Sequence, residues 1–275
     1  AFYWMLARQE RAAVALGVPA QHAGALWLFG LLAGWELSWR LYDLGFARSW
    51  RTAGWGLVAA FVLGLVSRFG ARISWPFAAH FALYRGVVLA PVAVFAALWS
   101  LYAVTDPAYV SPLPYVPLAN PLDGAQLLLF VVLKTWDGAR GEPRARSGFD
   151  VNALIAVLAF IWLNSMVLRS VHHWTATAYT LPALLDSVLV QAALSLVWTV
   201  TALVVMAYGA RAARRRPWIA GAGLLAVVVA KLFIFDLASL GTIERIVTFI
   251  GVGVGLLVIG YVAPVPPGEQ ERESG

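Results

Sequence analysis

The 22 residues from Ser187 to Tyr208, SVLVQAALSLVWTVTALVVMAY, carry no charge. As an α-helix this run is ~33 Å long, enough to cross the ~30 Å hydrocarbon core of a bilayer. Apolar runs recur at about 22–41, 52–67, 86–103, 121–134, 151–168, 217–235 and 246–262. None alternates in polarity as the strands of a membrane barrel must. The composition agrees, at 61% hydrophobic and 12% charged, against roughly 25% charged in soluble domains. The expected fold is all-α: a polytopic transmembrane bundle of about eight spanning helices over residues 1–263. A polar, disordered tail is expected over 264–275, ending PPGEQERESG.

With no cysteine in the chain, disulfides, thiolate catalysis and cysteine metal sites are excluded. The net charge of +6 resides in basic residues between apolar runs, which points to membrane topology and away from nucleic acid. Eight runs taken in order put Arg68, Arg72, Arg85, Lys134, Arg140, Arg144, Arg146, Arg211 and Arg214–Arg216 on the side of the N-terminus. By the positive-inside rule that side, with the C-terminus, is cytoplasmic. Glu36, Arg40, Asp43, Asp106, Asn120, Asp123, His172, His173, Asp186, Lys231, Asp236, Glu244 and Arg245 then fall toward the outer face.

Within that outer set, Glu36 and Arg40 are spaced for an i,i+4 ion pair. The segment DPAYVSPLPYVPLAN, 106–120, reads as an ordered loop stiffened by proline. Asn120 before Pro121 is a helix start, an N-cap followed by proline at the first helical position. His172 and His173, in an outer loop beside Trp174, are the candidate acid or base at neutral pH. Neither HExxH nor another ligand spacing is present, so no metal is expected, and nothing calls for a cofactor. His22 and His80 are isolated in sequence and read as structural. Charges flanked by apolar segments are costly unless paired or wet. Lys231, Asp236, Glu244 and Arg245 are therefore read as a charged network tying the last two helix ends, with Glu36 and Arg40 a second structural pair. Lys231 and Arg245, with Asp123 and Asn120, are the alternative candidates for binding a substrate or phosphate. Ser187, Gln191 and Ser195 form a polar strip that serves as interhelical glue or a solvated path. Gly251 and Gly255 have the GxxxG spacing of close helix packing.

The run RRRPWIAGAGLLAVVVAKLFIFDLASLGTIERIVTFIGVGVGLLVIGYVAP, with VHHW, SVLVQAALSLVWTVTALVVM and NPLDGAQ upstream, resembles the bacterial multi-pass membrane proteins of the domain of unknown function 2339 family. Members are typically much longer. The resemblance, with the absence of an initial methionine, implies the C-terminal portion of a larger protein in the bacterial inner membrane. It assigns no chemistry. Three functions are open: a structural or accessory component of envelope processes, an envelope enzyme acting on a lipid-linked or glycan substrate at an outward site, and a transporter. The expected partners are membrane lipids, other membrane proteins or the missing N-terminal part, and, for the enzyme, its lipid-linked or glycan substrate.

Overall fold

The computed structural model describes residues 2–11, 17–140 and 150–233, together with Gly253 and Leu257. The chain divides into two compact units, Ala1–Leu184 and Leu185–Gly275. The first holds α1 (Phe2–Arg11), α2 (Val18–Asp43), α3 (Arg48–Phe69), the short α4 (Phe81–Leu83), α5 (Leu89–Ala103), α6 (Pro121–Arg140) and α7 (Val151–Thr175). After α8 (Leu181–Asp186), which straddles the boundary, the second unit holds α9 (Val188–Arg211) and α10 (Arg215–Lys231). Among the described residues there is no strand.

Among the described residues, four helical segments are long and apolar enough to cross a membrane: Arg48–Arg72, Phe81–Ala103, Val151–Thr175 and Val188–Arg211. The count of about eight is therefore supported only in part. The other runs that are described do fold as helix, but with more polar content or less length. α2 carries Glu36, Arg40 and Asp43, and α6 carries Asp123, Gln126, Lys134, Asp137 and Arg140. The helix α10 is described over 17 residues, and run 246–262 lies almost wholly outside the described residues, as does the Gly251–Gly255 spacing.

The bundle of the first unit is built around α3. Of its apolar window, 56% is buried, against 28% for Phe81–Ala103 and for Val151–Thr175. Small residues make this possible. A side chain at Gly56 would meet the Trp99 ring at 2.3 Å, and the absence of one lets Trp99 lie flat on α3 and donate its indole N–H to the Thr52 carbonyl at 2.8 Å. The helix α6 buries Leu122, Ala125, Gln126, Leu129, Val132, Leu133 and Trp136, a helical period that gives one inward stripe. Ser100 and Gln126 meet between α5 and α6 as a reciprocal pair, Ser100 Oγ donating to Gln126 Oε1 (2.7 Å) and Gln126 Nε2 to the Ser100 carbonyl (3.0 Å). The outward surface is apolar: Leu28, Val94, Leu98 and Val131 are each more than half exposed. That is the surface of a bundle whose solvent is lipid.

The unit has two distinct ends. At one, Trp136 Nε1 donates to the Arg85 carbonyl (2.9 Å), Arg85 Nη1 to the Ala139 carbonyl (3.3 Å), and Lys134 Nζ to Asn152 Oδ1 (2.6 Å). At the other, the 104–120 loop folds over the start of α3: Ala47 N–H donates to the Ser111 carbonyl (3.3 Å) and Trp50 Nε1 to the Val110 carbonyl (3.0 Å). The indoles of Trp27, Trp50 and Trp99 thus all bond to backbone of other elements. They tie the interior together.

In the second unit α9 and α10 form a close hairpin. A side chain at Gly209 would meet Trp218 N at 2.6 Å, and one at Gly221 the Ala202 carbonyl oxygen at 2.8 Å. Backbone cannot move aside as a side chain can, so both positions demand glycine.

Candidate functional site

The polar residues of the loop end converge on a buried knot centred on Arg169, Asp123 and Asp106. α6 starts where Asn120 and Pro121 place it. Asn120 Oδ1 accepts from Asp123 N–H (3.0 Å), and Asn120 Nδ2 donates back to Asp123 Oδ2 (2.5 Å), a reciprocal cap of the box type. The Leu118 amide also donates to Oδ2 (3.1 Å), while Trp162 Nε1 (2.9 Å) and Arg169 Nη1 (3.1 Å) donate to Oδ1. Asp123 and Arg169 are both fully buried. Arg169 also donates to backbone, Nε to the Asp106 carbonyl in the loop (3.0 Å) and Nη2 to the Ala103 carbonyl at the end of α5 (2.5 Å). The Asp106 carboxylate is as fully engaged: Oδ1 accepts from Ser49 Oγ (2.5 Å) and Ala108 N–H (2.9 Å), and Oδ2 from Thr52 Oγ1 (2.8 Å).

His172 and His173 lie in the last turn of α7, not in a loop. The helix runs to Thr175 because the polar residues that end its apolar run at 168 find partners inside the bundle. The Thr177 carbonyl accepts from His172 Nδ1 (2.5 Å), so that nitrogen carries the hydrogen, and in the neutral ring Nε2 accepts from the Tyr109 hydroxyl (3.0 Å). His173 Nε2 donates to the Pro107 carbonyl (2.8 Å), and its ring stacks on Tyr115 at 4.3 Å and 11°. Tyr179 closes the cluster by donating to the Val104 carbonyl (2.8 Å). Burial pushes the Tyr115 phenol up to about 12, and burial likewise raises that of Tyr179.

Glu36 and Arg40 form an exposed i,i+4 ion pair at 2.7 Å. Lys231, in the second unit, donates to Ser195 Oγ (2.8 Å) and the Gln191 carbonyl (3.4 Å). Ser195 donates to the Gln191 carbonyl in turn (2.8 Å), so Gln191 and Ser195 receive the end of α10, while Ser187 caps α9 by accepting from the Val190 amide. Asp236, Glu244 and Arg245 lie outside the described residues. His22 and His80, distant in sequence, meet ring to ring at 4.6 Å in an aromatic cluster with Tyr3, Trp75 and Tyr84; His22 is fully buried and bonded to the Tyr84 hydroxyl (2.8 Å).

Sequence reasoning singled out Asn120 and Asp123 but not the partner that unites them, Arg169. The signal was a polar stripe on one face of α7, Trp162, Ser165, Arg169 and His172, at spacings of three and four. Each Asp123 and Asp106 carboxylate oxygen receives at least one donor. Among the described residues no three His, Asp or Glu side chains gather as a metal would require.

The spanning helices, the apolar outer surface and the buried Asp123–Arg169 pair define a multi-pass helical membrane protein. No curated protein and no solved structure matches the chain. Over residues 1–266 it matches the family described as "Predicted membrane protein (DUF2339)". The chain belongs to that family.

Proposed function

We propose that this chain is a structural or accessory component of the bacterial inner membrane, serving envelope processes, with the 104–120 loop and the His172–His173 turn on the periplasmic side. One observation carries the reading: the carboxylates of the buried knot and the two histidines are engaged by neighbouring side chains and backbone. Asp123 and Asp106 receive four and three hydrogen bonds respectively, and each histidine has a ring nitrogen on a carbonyl. An arrangement that fixes a loop so completely presents a defined surface to other membrane proteins. The orientation rests on the basic residues Arg68, Arg72, Arg85 and Lys134 at the opposite end.

Orientation is tested by single cysteines at Ser111 and Ser147 in whole cells. Labelling of the Ser111 position by an impermeant reagent is expected; labelling of the Ser147 position instead inverts the topology. Function is tested by complementing a deletion strain and scoring envelope integrity alongside protein abundance. The His172→Gln/His173→Gln variant is expected to retain function in proportion to its abundance. Full abundance with complete loss of function would favour the enzyme with a histidine base.

A further inference from the structure

At the same end of the first unit a cavity of about 570 Å³ opens beside the start of α3, lined by Arg48, Arg51, Thr52, Trp99 and Tyr102. It shares Leu31, Trp55 and Phe95 with a second, almost wholly apolar cavity of about 170 Å³ that follows α2, α3 and α5 to Val62 and Pro91. Together they make one groove with a cationic mouth and an apolar floor. From Thr52 to Val62 the groove follows α3 for ~15 Å, about the depth of one bilayer leaflet.

The mouth is strongly biased toward anions. Both arginines sit in the first turn of α3, where the helix dipole is already positive and no acidic residue lies. Asp106, the nearby carboxylate, is turned inward by Ser49, Thr52 and Ala108. Arg48 Nη2 donates to the Tyr102 hydroxyl (3.0 Å). The Arg51 guanidinium lies over the Tyr42 ring at 5.3 Å, and its Nε is buried with no hydrogen-bond partner. A buried guanidinium N–H left without an acceptor is costly, and an anion in the mouth supplies one. The floor is also open. A side chain at Gly30 would meet nothing within 4 Å, whereas one at Gly34, a turn further on, would strike Trp55 at 2.4 Å.

We propose that this groove binds one molecule of an anionic phospholipid, its phosphate held by Arg48 and Arg51 and one acyl chain laid along the α2–α3–α5 floor. Charge complementarity at the mouth and chain-length complementarity along the floor point to the same occupant. The site is independent of the orientation and function proposed above.

The test is native mass spectrometry of the full chain in detergent, titrated with dioleoylphosphatidylglycerol or dioleoylphosphatidylcholine. Wild type is expected to retain one phosphatidylglycerol at least tenfold more tightly than phosphatidylcholine. Arg48→Gln/Arg51→Gln is expected to lose that preference, and Gly30→Leu to lose the bound lipid by filling the floor. Both changes fall at positions where the fold has room, and thermal unfolding checks each; Arg51→Gln alone serves if either unfolds. Equal retention of the two lipids, or undiminished retention in the variants, overturns the proposal. So does inorganic phosphate if it stabilises Gly30→Leu as much as phosphatidylglycerol stabilises wild type, since the site would then be one for free anions.

Discussion

Replacing Arg169 with methionine tests the buried knot most severely. The side chain is fully buried and makes three hydrogen bonds, one to the Asp123 carboxylate and two to the carbonyls of Ala103 and Asp106. Methionine fills similar space but leaves Asp123 as a buried anion without its cation and strands the Asp106 carbonyl, while the Ala103 carbonyl keeps the Asp106 N–H (3.2 Å). Breaking a buried pair from one side costs about 3–5 kcal/mol. Asp123→Leu, which leaves the guanidinium uncompensated and removes the N-terminal cap of α6, should cost a similar amount. The double variant removes both charges, so its cost should fall short of the sum by more than about 2 kcal/mol. Reversible unfolding in mixed micelles, followed by tryptophan fluorescence and circular dichroism, gives the three values. A loss below about 1 kcal/mol for Arg169→Met, or strict additivity in the double variant, would refute the reasoning.

Further outcomes follow from the same contacts. Gly209→Ala should cost about 1–3 kcal/mol by overpacking against the Trp218 backbone. Gly223→Ala, where the added methyl meets nothing, should gain about 0.5–1 kcal/mol from helix propensity; thermal unfolding compares the two. Lys231→Met and Ser195→Ala should each weaken the α9–α10 hairpin by about 1–2 kcal/mol, and the double variant should cost little more than either, because both remove the same bond. The Tyr115 phenol, raised to about 12 by burial, keeps its proton in the fold after the unfolded chain, near 10, has lost it. Its contribution to stability is therefore complete below pH 10 and is lost as pH rises through 12. Absorbance titration of wild type against Tyr115→Phe should show one phenol ionising late.

What was legible in the sequence was whatever depends on local pattern. Long uncharged runs specify membrane helices, four prolines within 106–120 specify an irregular loop, and Asn120–Pro121 specifies a helix start. What was not legible depends on partners remote in sequence. Arg169 is 46 residues from Asp123 and 63 from Asp106, and no period links them. In sequence Arg169 simply follows the apolar run at 151–168. His22 and His80 looked isolated for the same reason, since only folding brings α2 beside the 73–84 segment. The helix count suffered from the converse effect: α2 and α6 carry charges that lower their hydropathy, yet α6 uses its Asp123 and Gln126 inside the bundle. In sequence Arg48 and Arg51 stand in a short connection between two apolar runs, and only the fold places them at the mouth of an apolar groove.

The most direct measurement is hydrogen exchange of the 104–120 loop in micelles. The Ala108 and Leu118 amides donate to the Asp106 and Asp123 carboxylates, and Arg169 clamps the carbonyls of Ala103 and Asp106 from within. These amides are expected to be protected by several orders of magnitude in wild type and to lose that protection in Arg169→Met, with the centre of α3 unchanged. Exchange in wild type at the rate of an unstructured loop, or protection that survives the loss of Arg169, would contradict the account.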